Sequence, residues 1–236
     1  MDAEYYRLAE KIRELAQVHQ KPRFLVSIAG PPGSGKTTTA QMVANLLNQS
    51  SSSQTALISL DGFHLPRAAL DQFPDPILAH ARRGSPWTFD LPRFAEFARR
   101  LHNWAHKTPL YTSRGWSDDE VLKAPTFDHV VKDPIEDGFT ITPDTLIIIL
   151  EGSYLLLDEP GWKEITDLFD YRIFIEVDLQ EARTRVAKRH VHTGIEPTLE
   201  EGYRRMDGND YSNALLIHEK LLSPDMTLKS IPWGTK

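Results

Sequence analysis

The sequence predicts an α/β protein in which a mostly parallel sheet is flanked by helices on both faces, giving three layers. Four short apolar runs alternate along the 236-residue chain with segments whose apolar residues recur every three or four positions. Runs that are apolar throughout are typical of parallel strands with both faces covered. A glycine-rich segment follows the first run directly, where such a sheet would bind a ligand.

The predicted strands end in residues suited to ligand binding. The four runs cover residues 24–29, 56–61, 145–152 and 171–178. The carboxyl ends of parallel strands meet at one edge of the sheet, where ligands collect. The residues at those ends are Gly30, Asp61, Glu151 and Asp178. We therefore expect the functional site at this edge.

Helical periodicity accounts for much of the remaining chain. Predicted helices cover the first 16 residues and segments 91–107, 181–190 and about 197–220. Residues 62–144 carry more polar and turn-forming residues than strand signal, so we expect them to form an acceptor-site insertion. We expect one domain over residues 1–236, with a small helical lid at about 181–196.

Composition excludes several classes of protein. The chain has no cysteine, which excludes disulfides, thiolate zinc sites and a cysteine nucleophile. Its formal net charge of −6 argues against general binding to nucleic acid or to anionic membranes. The longest strongly apolar run, residues 146–150, is too short to span a bilayer. We expect a cytoplasmic protein with a small-molecule substrate, and a homodimer stays open as an alternative to a monomer.

The segment Gly30–Thr37, GPPGSGKT, matches the spacing G-x-x-x-x-G-K-[ST] and predicts a P-loop NTPase-type fold. Glycines allow the backbone angles that aim successive amides at a phosphate, and the following helix presents its positive end. We expect the amides of residues 33–37 to be available. Lys36 should reach the β- and γ-phosphates of ATP, and Thr37 should ligate Mg²⁺. The predicted nucleotide-binding residues are Gly30, Pro31, Pro32, Gly33, Ser34, Gly35, Lys36, Thr37 and Thr38.

Two carboxylates at strand ends are candidates for chemistry beside the phosphates. Glu151 follows four branched apolar residues and is predicted to hold Mg²⁺, directly or through water. Asp61 ends the run ALISLD, where a carboxylate could orient and deprotonate an attacking hydroxyl. The alternative for both is a carboxylate that caps the next turn.

A basic segment follows the fourth predicted strand. Arg185 and Arg189 are four residues apart and share one helical face. Such a face near the loop could clamp the migrating phosphoryl group, whose charge spreads over its oxygens. The alternative is a solvated helix face.

Several motifs together resemble the phosphoribulokinase, uridine kinase and pantothenate kinase superfamily. They are AGPPGSGKTT, LDGFHLPRAALD, RRGSPWTFD, PTFDHVVKDP, LEGSYLLLD and RTRVAKRH, and they occur in that family's order over most of residues 24–220. DGFHLP and RRGSPWTFD are more similar to the pantothenate-kinase-like branch, which has bacterial and fungal members. The resemblance implies a P-loop kinase with ATP and Mg²⁺.

The resemblance also implies roles for individual residues. Asp61 matches the family's catalytic acid, and Glu151 matches the acid after the Walker B strand. Arg185 and Arg189 match the arginines of the lid over ATP. Asn209 and the following Asp210 fall in a segment expected near the adenine.

The acceptor segment departs from the uridine kinase pattern. Lys132 stands where uridine kinases have the histidine that reads the pyrimidine, and Pro134 stands where they have an arginine. Asp128 is retained and is predicted to bind a substrate hydroxyl. The other candidates for the acceptor pocket are His64, Arg83, Tyr111, Arg114 and Trp116.

Two functions remain as hypotheses. The first is a kinase that transfers the γ-phosphoryl group of ATP to a hydroxyl of uridine or another nucleoside, of pantothenate, or of a sugar or sugar acid. The second is a nucleotide-binding regulator or assembly ATPase with no small-molecule acceptor. The DGFH element and the insertion favour the kinase.

Overall fold

The computed structural model describes residues 3–49, 54–107 and 121–230. Its helices are α1 (Ala3–Val18), α2 (Lys36–Asn48), α3 (Arg67–Leu70), α4 (Pro76–Ala81), α5 (Leu91–Ala105), α6 (Lys163–Thr166), α7 (Leu179–His192), α8 (Leu199–Gly208) and α9 (Asp210–Glu219). Its strands are β1 (Phe24–Ala29), β2 (Gln54–Ser59), β3 (Leu122–Asp128), β4 (Asp133–Ile141), β5 (Thr145–Gly152), β6 (Tyr171–Glu176) and β7 (Met226–Lys229).

Five strands form one parallel sheet in the order β2-β5-β1-β6-β7. The central strand β1 pairs with β5 on one side and with β6 on the other. All six residues of β1 are buried, which explains why its sequence is apolar at every position except Ser27. The predicted three-layer, mostly parallel architecture is confirmed.

Alternate residues of the strands contribute to two separate hydrophobic cores, one on each face of the sheet. Val26 and Ile28 of β1 pack with Leu8 of α1 and Val43 of α2 on one face of the sheet. Leu25, one position along, packs on the other face with the aromatic side chains of α5. Because side chains of a strand alternate between faces, the two cores account for the three layers.

The insertion predicted at 62–144 has two parts with different roles. Helix α5 packs on the sheet through Phe94, Phe97 and Leu101 and therefore belongs to the flanking layer. Strands β3 and β4 form an antiparallel hairpin that the sequence did not indicate. Most residues of β4 are exposed or half-buried, so their sequence carries no apolar run.

Residues 197–230 differ from the sequence prediction in two ways. Strand β7 pairs in parallel with β6 at the edge of the sheet, although its sequence showed no periodicity. The helix expected over 197–220 is two helices that break at Asn209, where the backbone leaves the helical region (φ −142°, ψ −63°). Within the part of the chain that the structure describes, no helix is long and apolar enough to cross a membrane.

One buried arginine ties the entry of the sheet to its flanking helix. Arg23, just before β1, donates to the carbonyl oxygens of Trp104, Lys107 and Pro143 at 3.0, 2.9 and 2.8 Å. Its guanidinium also lies 3.7 Å from the centre of the Trp104 ring. The arginine therefore joins the end of α5 to the segment that leads into β5.

We expect Arg23→Met to lower the free energy of unfolding by about 2–4 kcal/mol, because three carbonyl groups, one of them in a fully buried bond, lose a charged donor. Urea denaturation followed by circular dichroism measures the change. Arg204→Met is the matched control, since Arg204 is exposed and, among the residues that the structure describes, bonds only Glu200 four positions away on the same helix. Its effect should stay within about 0.5 kcal/mol. Equal unfolding midpoints for the two variants would contradict the role of Arg23.

Candidate active site

The segment between β1 and α2 has the backbone of a phosphate-binding loop. Gly33 and Gly35 have φ of +83° and +84°, a region that side chains with a Cβ rarely adopt. The first turn of α2 follows directly, and its N–H groups have no acceptor within the helix. The loop therefore presents main-chain donors and the positive end of a helix to an anion.

One expected donor of the loop is already engaged. The Ser34 N–H donates to the carbonyl oxygen of Pro31 at 3.1 Å, so it is not available for phosphate in this conformation. The expectation that all five amides of residues 33–37 are available is wrong for Ser34. The physical reason is a tight turn at the two prolines, which brings the Pro31 carbonyl back onto the loop.

Helix α7 packs directly against the phosphate loop. A Cβ added at Gly33 would lie 2.6 Å from the carbonyl oxygen of Ala182 and 3.0 Å from Val186. Gly33 is therefore required both for its left-handed backbone and for this close approach. The first part of the lid predicted at about 181–196 therefore packs against the phosphate loop.

Glu151 lies at the end of β5, with both carboxylate oxygens hydrogen-bonded. The Thr37 hydroxyl donates to one oxygen at 3.0 Å, and the Ser59 hydroxyl donates to the other at 2.6 Å. The side chain is almost fully buried, and this burial raises its pKa, while the nearby Lys36 ammonium and the two hydroxyl donors oppose the rise. Glu151 thus joins the ends of β5 and β2 to the first turn of α2.

This oxygen set fits a magnesium ion. Mg²⁺ prefers oxygen ligands and is commonly bound through one or two carboxylates plus the phosphates of a substrate. Thr37 and Glu151 supply a hydroxyl and a carboxylate beside the loop. Among the described residues no group of three or more His, Cys, Asp or Glu could hold a metal by itself. The residues therefore fit an ion that arrives with the nucleotide phosphates.

Asp61 lies in a single 3-10 turn that follows β2. Its N–H donates to the Ser59 hydroxyl at 3.2 Å, and its side chain is 47% exposed. Its carbonyl oxygen accepts a hydrogen bond from His64 Nδ1 at 2.9 Å. A carbonyl oxygen only accepts, so Nδ1 carries the proton. Burial lowers the pKa of His64, with Asp61 opposing, which favours the neutral ring.

Asp61 and His64 line a cleft of about 1320 Å³ that also reaches the lid helices. Arg83, Arg189, Asn209 and Asp210 line the same cleft. Asp210 is half-buried; burial raises its pKa, and the nearby His190, Arg189, Arg205 and Lys36 oppose that rise. Lys36 is thus close enough to the cleft for its charge to act on a residue of the cleft wall.

The two arginines of α7 have different surroundings. The Arg185 guanidinium donates to the Ser230 hydroxyl at 2.6 Å and to the Gly33 carbonyl at 3.4 Å, and it also pairs with Glu181. Arg189 lines the cleft. The sequence predicted a common face for both residues, and the structure brings only Arg189 to the cleft wall with Asp61.

The residues predicted for the acceptor pocket differ in whether they line the cleft. His64 and Arg83 line the cleft. One carboxylate oxygen of Asp128 instead accepts the N–H groups of Val130 and Val131 at 2.7 and 3.0 Å, and Asp128 does not line the cleft. These bonds lower the pKa of Asp128 and account for it as a turn residue.

Three of the acceptor candidates have no described position, whereas the setting of Asn209 is defined. Tyr111 and Arg114, with the neighbouring Trp116, lie outside the described residues. Asn209, expected near the adenine, donates to the Arg83 carbonyl at 2.9 Å and accepts from the Ser85 hydroxyl at 3.1 Å. It fixes the junction of α8 and α9 to the segment after α4, on the same cleft as Asp61.

Sequence reasoning missed Ser59. Its hydroxyl donates to Glu151 and accepts from the Asp61 N–H, so it connects the Glu151 carboxylate to the backbone of Asp61. The available signal was a hydroxyl two residues before Asp61, at the end of an otherwise apolar run. Ser59 is the last residue of β2 and pairs with Glu151 of the neighbouring strand β5, so its hydroxyl lies at the same edge of the sheet as the Glu151 carboxylate.

Comparison with curated proteins finds relatives along most of the chain. It is 36% identical over 228 residues to a Schizosaccharomyces pombe protein named "Putative uridine kinase", which covers 96% of this chain and 91% of that protein. It is 38% identical over 190 residues to ATP-dependent kinase YFH7 of Kluyveromyces lactis, and this match covers 70% of the chain and 53% of the relative. The chain thus spans about half the length of that second relative. No protein-family model matches the chain.

A solved structure has the same fold over nearly the full length. The structure of YFH7 from Saccharomyces cerevisiae has a TM-score of 0.84 and 24% identity, and the match covers 98% of this chain and 100% of that one. At this identity the likeness establishes the fold. The extensive match to the Schizosaccharomyces pombe relative, together with the P-loop and the strand-end carboxylates, establishes the family. The chain belongs to the phosphoribulokinase, uridine kinase and pantothenate kinase superfamily of P-loop kinases.

Proposed function

We propose that this protein transfers the γ-phosphoryl group of ATP to a hydroxyl of a small metabolite. One observation carries the proposal: the two strand-end carboxylates have different environments. Glu151 is buried and holds two hydroxyls beside the phosphate loop, whereas the Asp61 side chain is half exposed and lines a wide cleft. The first suits a magnesium-linked role, and the second suits contact with an acceptor.

Each residue then has a defined task in the transfer. The acceptor oxygen forms a bond to the γ-phosphorus, and the bond from that phosphorus to the β–γ bridging oxygen breaks, so that ADP leaves with the electron pair. Asp61 orients the acceptor hydroxyl and takes its proton. Lys36 and Arg189 neutralise charge on the moving group, and Arg185 holds the loop. Bound Mg²⁺ would supply charge neutralisation across the phosphates.

A regulatory or assembly ATPase is the alternative, and it would use the same loop. It needs neither an acceptor cleft nor a carboxylate at the cleft wall, so the position of Asp61 supports the kinase. Incubating the protein with ATP and Mg²⁺, with and without a metabolite extract, separates the two. Transfer that needs the extract supports the kinase, and equal phosphate release in both tubes supports the ATPase. The proposed acceptors are a nucleoside such as uridine, pantothenate, or a sugar or sugar acid.

We expect Lys36→Ala to lower the rate of extract-dependent transfer by about 100-fold or more, because a charged donor to the β- and γ-phosphates is lost. The rate of ADP formation measures the loss, and circular dichroism checks the fold. Lys11→Ala on the exposed side of α1 is the control and should keep the wild-type rate. A folded Lys36→Ala protein with near-normal turnover would remove Lys36 from the mechanism.

We expect Asp61→Asn to lower kcat by about 10²- to 10⁴-fold with little change in ATP affinity, because the amide cannot accept the hydroxyl proton. Glu151→Gln is the contrasting variant and should raise the Mg²⁺ concentration needed for half-maximal rate. Titration of both variants with ATP and Mg²⁺ separates the roles. If Asp61→Asn instead loses ATP binding, Asp61 belongs to the magnesium site and its role as the base is wrong.

A further inference from the structure

The cleft beside Asp61 carries an excess of positive charge in an acidic protein. Its described lining holds five permanently cationic side chains and two carboxylates, whereas the whole chain has a formal net charge of −6. The cations are Arg67, Arg83, Lys132, Arg189 and Arg205. Two of these cations are already paired, Arg83 with Asp133 and Arg205 with Glu196. The lining therefore keeps a smaller excess of positive charge, which still favours an anionic occupant.

The cations lie on two walls. Arg189 and Arg205 come from α7 and α8, and their charges act on Asp210, as does that of Lys36 in the phosphate loop. These two arginines therefore belong to the wall that reaches the nucleotide phosphates. Arg67, Arg83 and Lys132 come from α3, the segment after α4, and the turn of the β3–β4 hairpin. The phosphates of ATP would account for the positive charge of the first wall, but not for that of the second wall.

The second wall is held rigidly by Asp133. One carboxylate oxygen of Asp133 accepts both the Arg67 N–H and the Arg83 Nη2 group at 2.9 Å. This pairing neutralises Arg83 and fixes the start of α3 against the hairpin. Among the described residues, no carboxylate lies within ion-pair distance of the Arg67 or Lys132 side chain.

Lys132 is presented by a strained and anchored backbone. Its φ of +60° is unusual for a residue with a side chain. Its N–H donates to the Asp128 carbonyl at 2.7 Å, and its own carbonyl accepts from Arg83. The sequence places a lysine where glycine or asparagine would fit the backbone at lower cost, so a role for the side chain offsets that cost.

A short series of contacts joins this wall to Asp61. The His64 ring, bonded to the Asp61 carbonyl, lies 5.2 Å from the Phe127 ring between centres. The Arg83 guanidinium lies 5.6 Å from the centre of the Phe127 ring, and Arg83 bonds the Lys132 carbonyl. One histidine and one phenylalanine ring therefore lie between the Asp61 backbone and Arg83 of the cationic wall, and Asp61, Arg67 and Lys132 line the same cleft.

We propose that the phosphate acceptor is a small hydroxylated anion, whose carboxylate or phosphate ester binds Lys132 and Arg67 while its hydroxyl meets Asp61. This inference rests on the proposed kinase function and narrows its acceptor. Lys132 and Arg67 are both exposed, so water solvates their charges while the cleft is empty. An anionic acceptor pairs with these charges through charge-assisted hydrogen bonds, whereas an uncharged nucleoside or sugar forms no ion pair with them. The anionic group is unchanged by the transfer, in which only the hydroxyl oxygen gains the phosphoryl group.

Fractionation of a metabolite extract on an anion-exchange column tests the class of acceptor. Each fraction is added to protein, ATP and Mg²⁺, and transfer is followed by mass spectrometry. Acceptor activity in the retained fraction supports the proposal, and activity confined to the flow-through overturns it. Phosphate release that no fraction stimulates defeats the kinase function itself, which keeps the two failures distinct. Phosphatase treatment of the retained fraction distinguishes the source, because it destroys phosphate esters and leaves carboxylates active.

Variants of Lys132 test the place of binding. With the retained fraction, Lys132→Met should raise the half-saturating amount of acceptor by about 10- to 100-fold, with the KM for ATP within about twofold of wild type. Lys132→Arg keeps the charge and should restore most of the loss. Lys123→Met, on the same hairpin but outside the cleft, is the matched control and should behave as wild type. Equal losses in the Met and Arg variants would assign Lys132 a purely structural role and overturn the proposed site.

Discussion

The buried carboxylate of Glu151 is the interaction on which the site depends. A charged group with so little exposure is tolerated only when its oxygens are satisfied, and here two hydroxyls from different elements satisfy them. Thr37 lies in the first turn of α2 and Ser59 ends β2, so the carboxylate fixes the phosphate loop relative to the neighbouring strand. Ser59 passes this constraint on to Asp61 through the backbone N–H of that residue. The backbone position of Asp61, the proposed catalytic acid, therefore depends on the hydrogen bonds that satisfy Glu151.

The sheet was predictable because its strands are buried on both faces. β1 and β5 carry apolar residues at nearly every position, and their pattern requires no knowledge of their neighbours. The β3–β4 hairpin has no such pattern. Its place is set by long-range contacts such as those of Asp133 with Arg67 and Arg83, which join positions far apart in the chain. Strand β7 has four residues with one buried, too few for a period to emerge.

The candidate site also has parts that the sequence could predict and parts that it could not. The phosphate loop is a local motif, so Gly33, Gly35 and Thr37 have the predicted setting without reference to the rest of the molecule. The roles of Arg185 and Arg189 depend on which elements pack around α7, and the sequence alone could not separate them. Asp128 illustrates the opposite case, in which a family motif suggested a ligand and the local turn already uses the carboxylate oxygen.

The hydrogen bonds of Ser230 with the phosphate loop and with Arg185 affect when the loop is fixed during synthesis. The Ser230 hydroxyl bonds the Ser34 carbonyl across 196 positions and accepts from Arg185. At ribosomal rates of about 5–20 residues per second, the loop emerges roughly 10–40 s before the serine that closes on it. During that interval the nascent chain contains the phosphate-binding sequence but lacks the contact that fixes its backbone. The contact that fixes the loop backbone therefore forms only after Ser230 has emerged, when the sheet and most of its flanking helices are already synthesised.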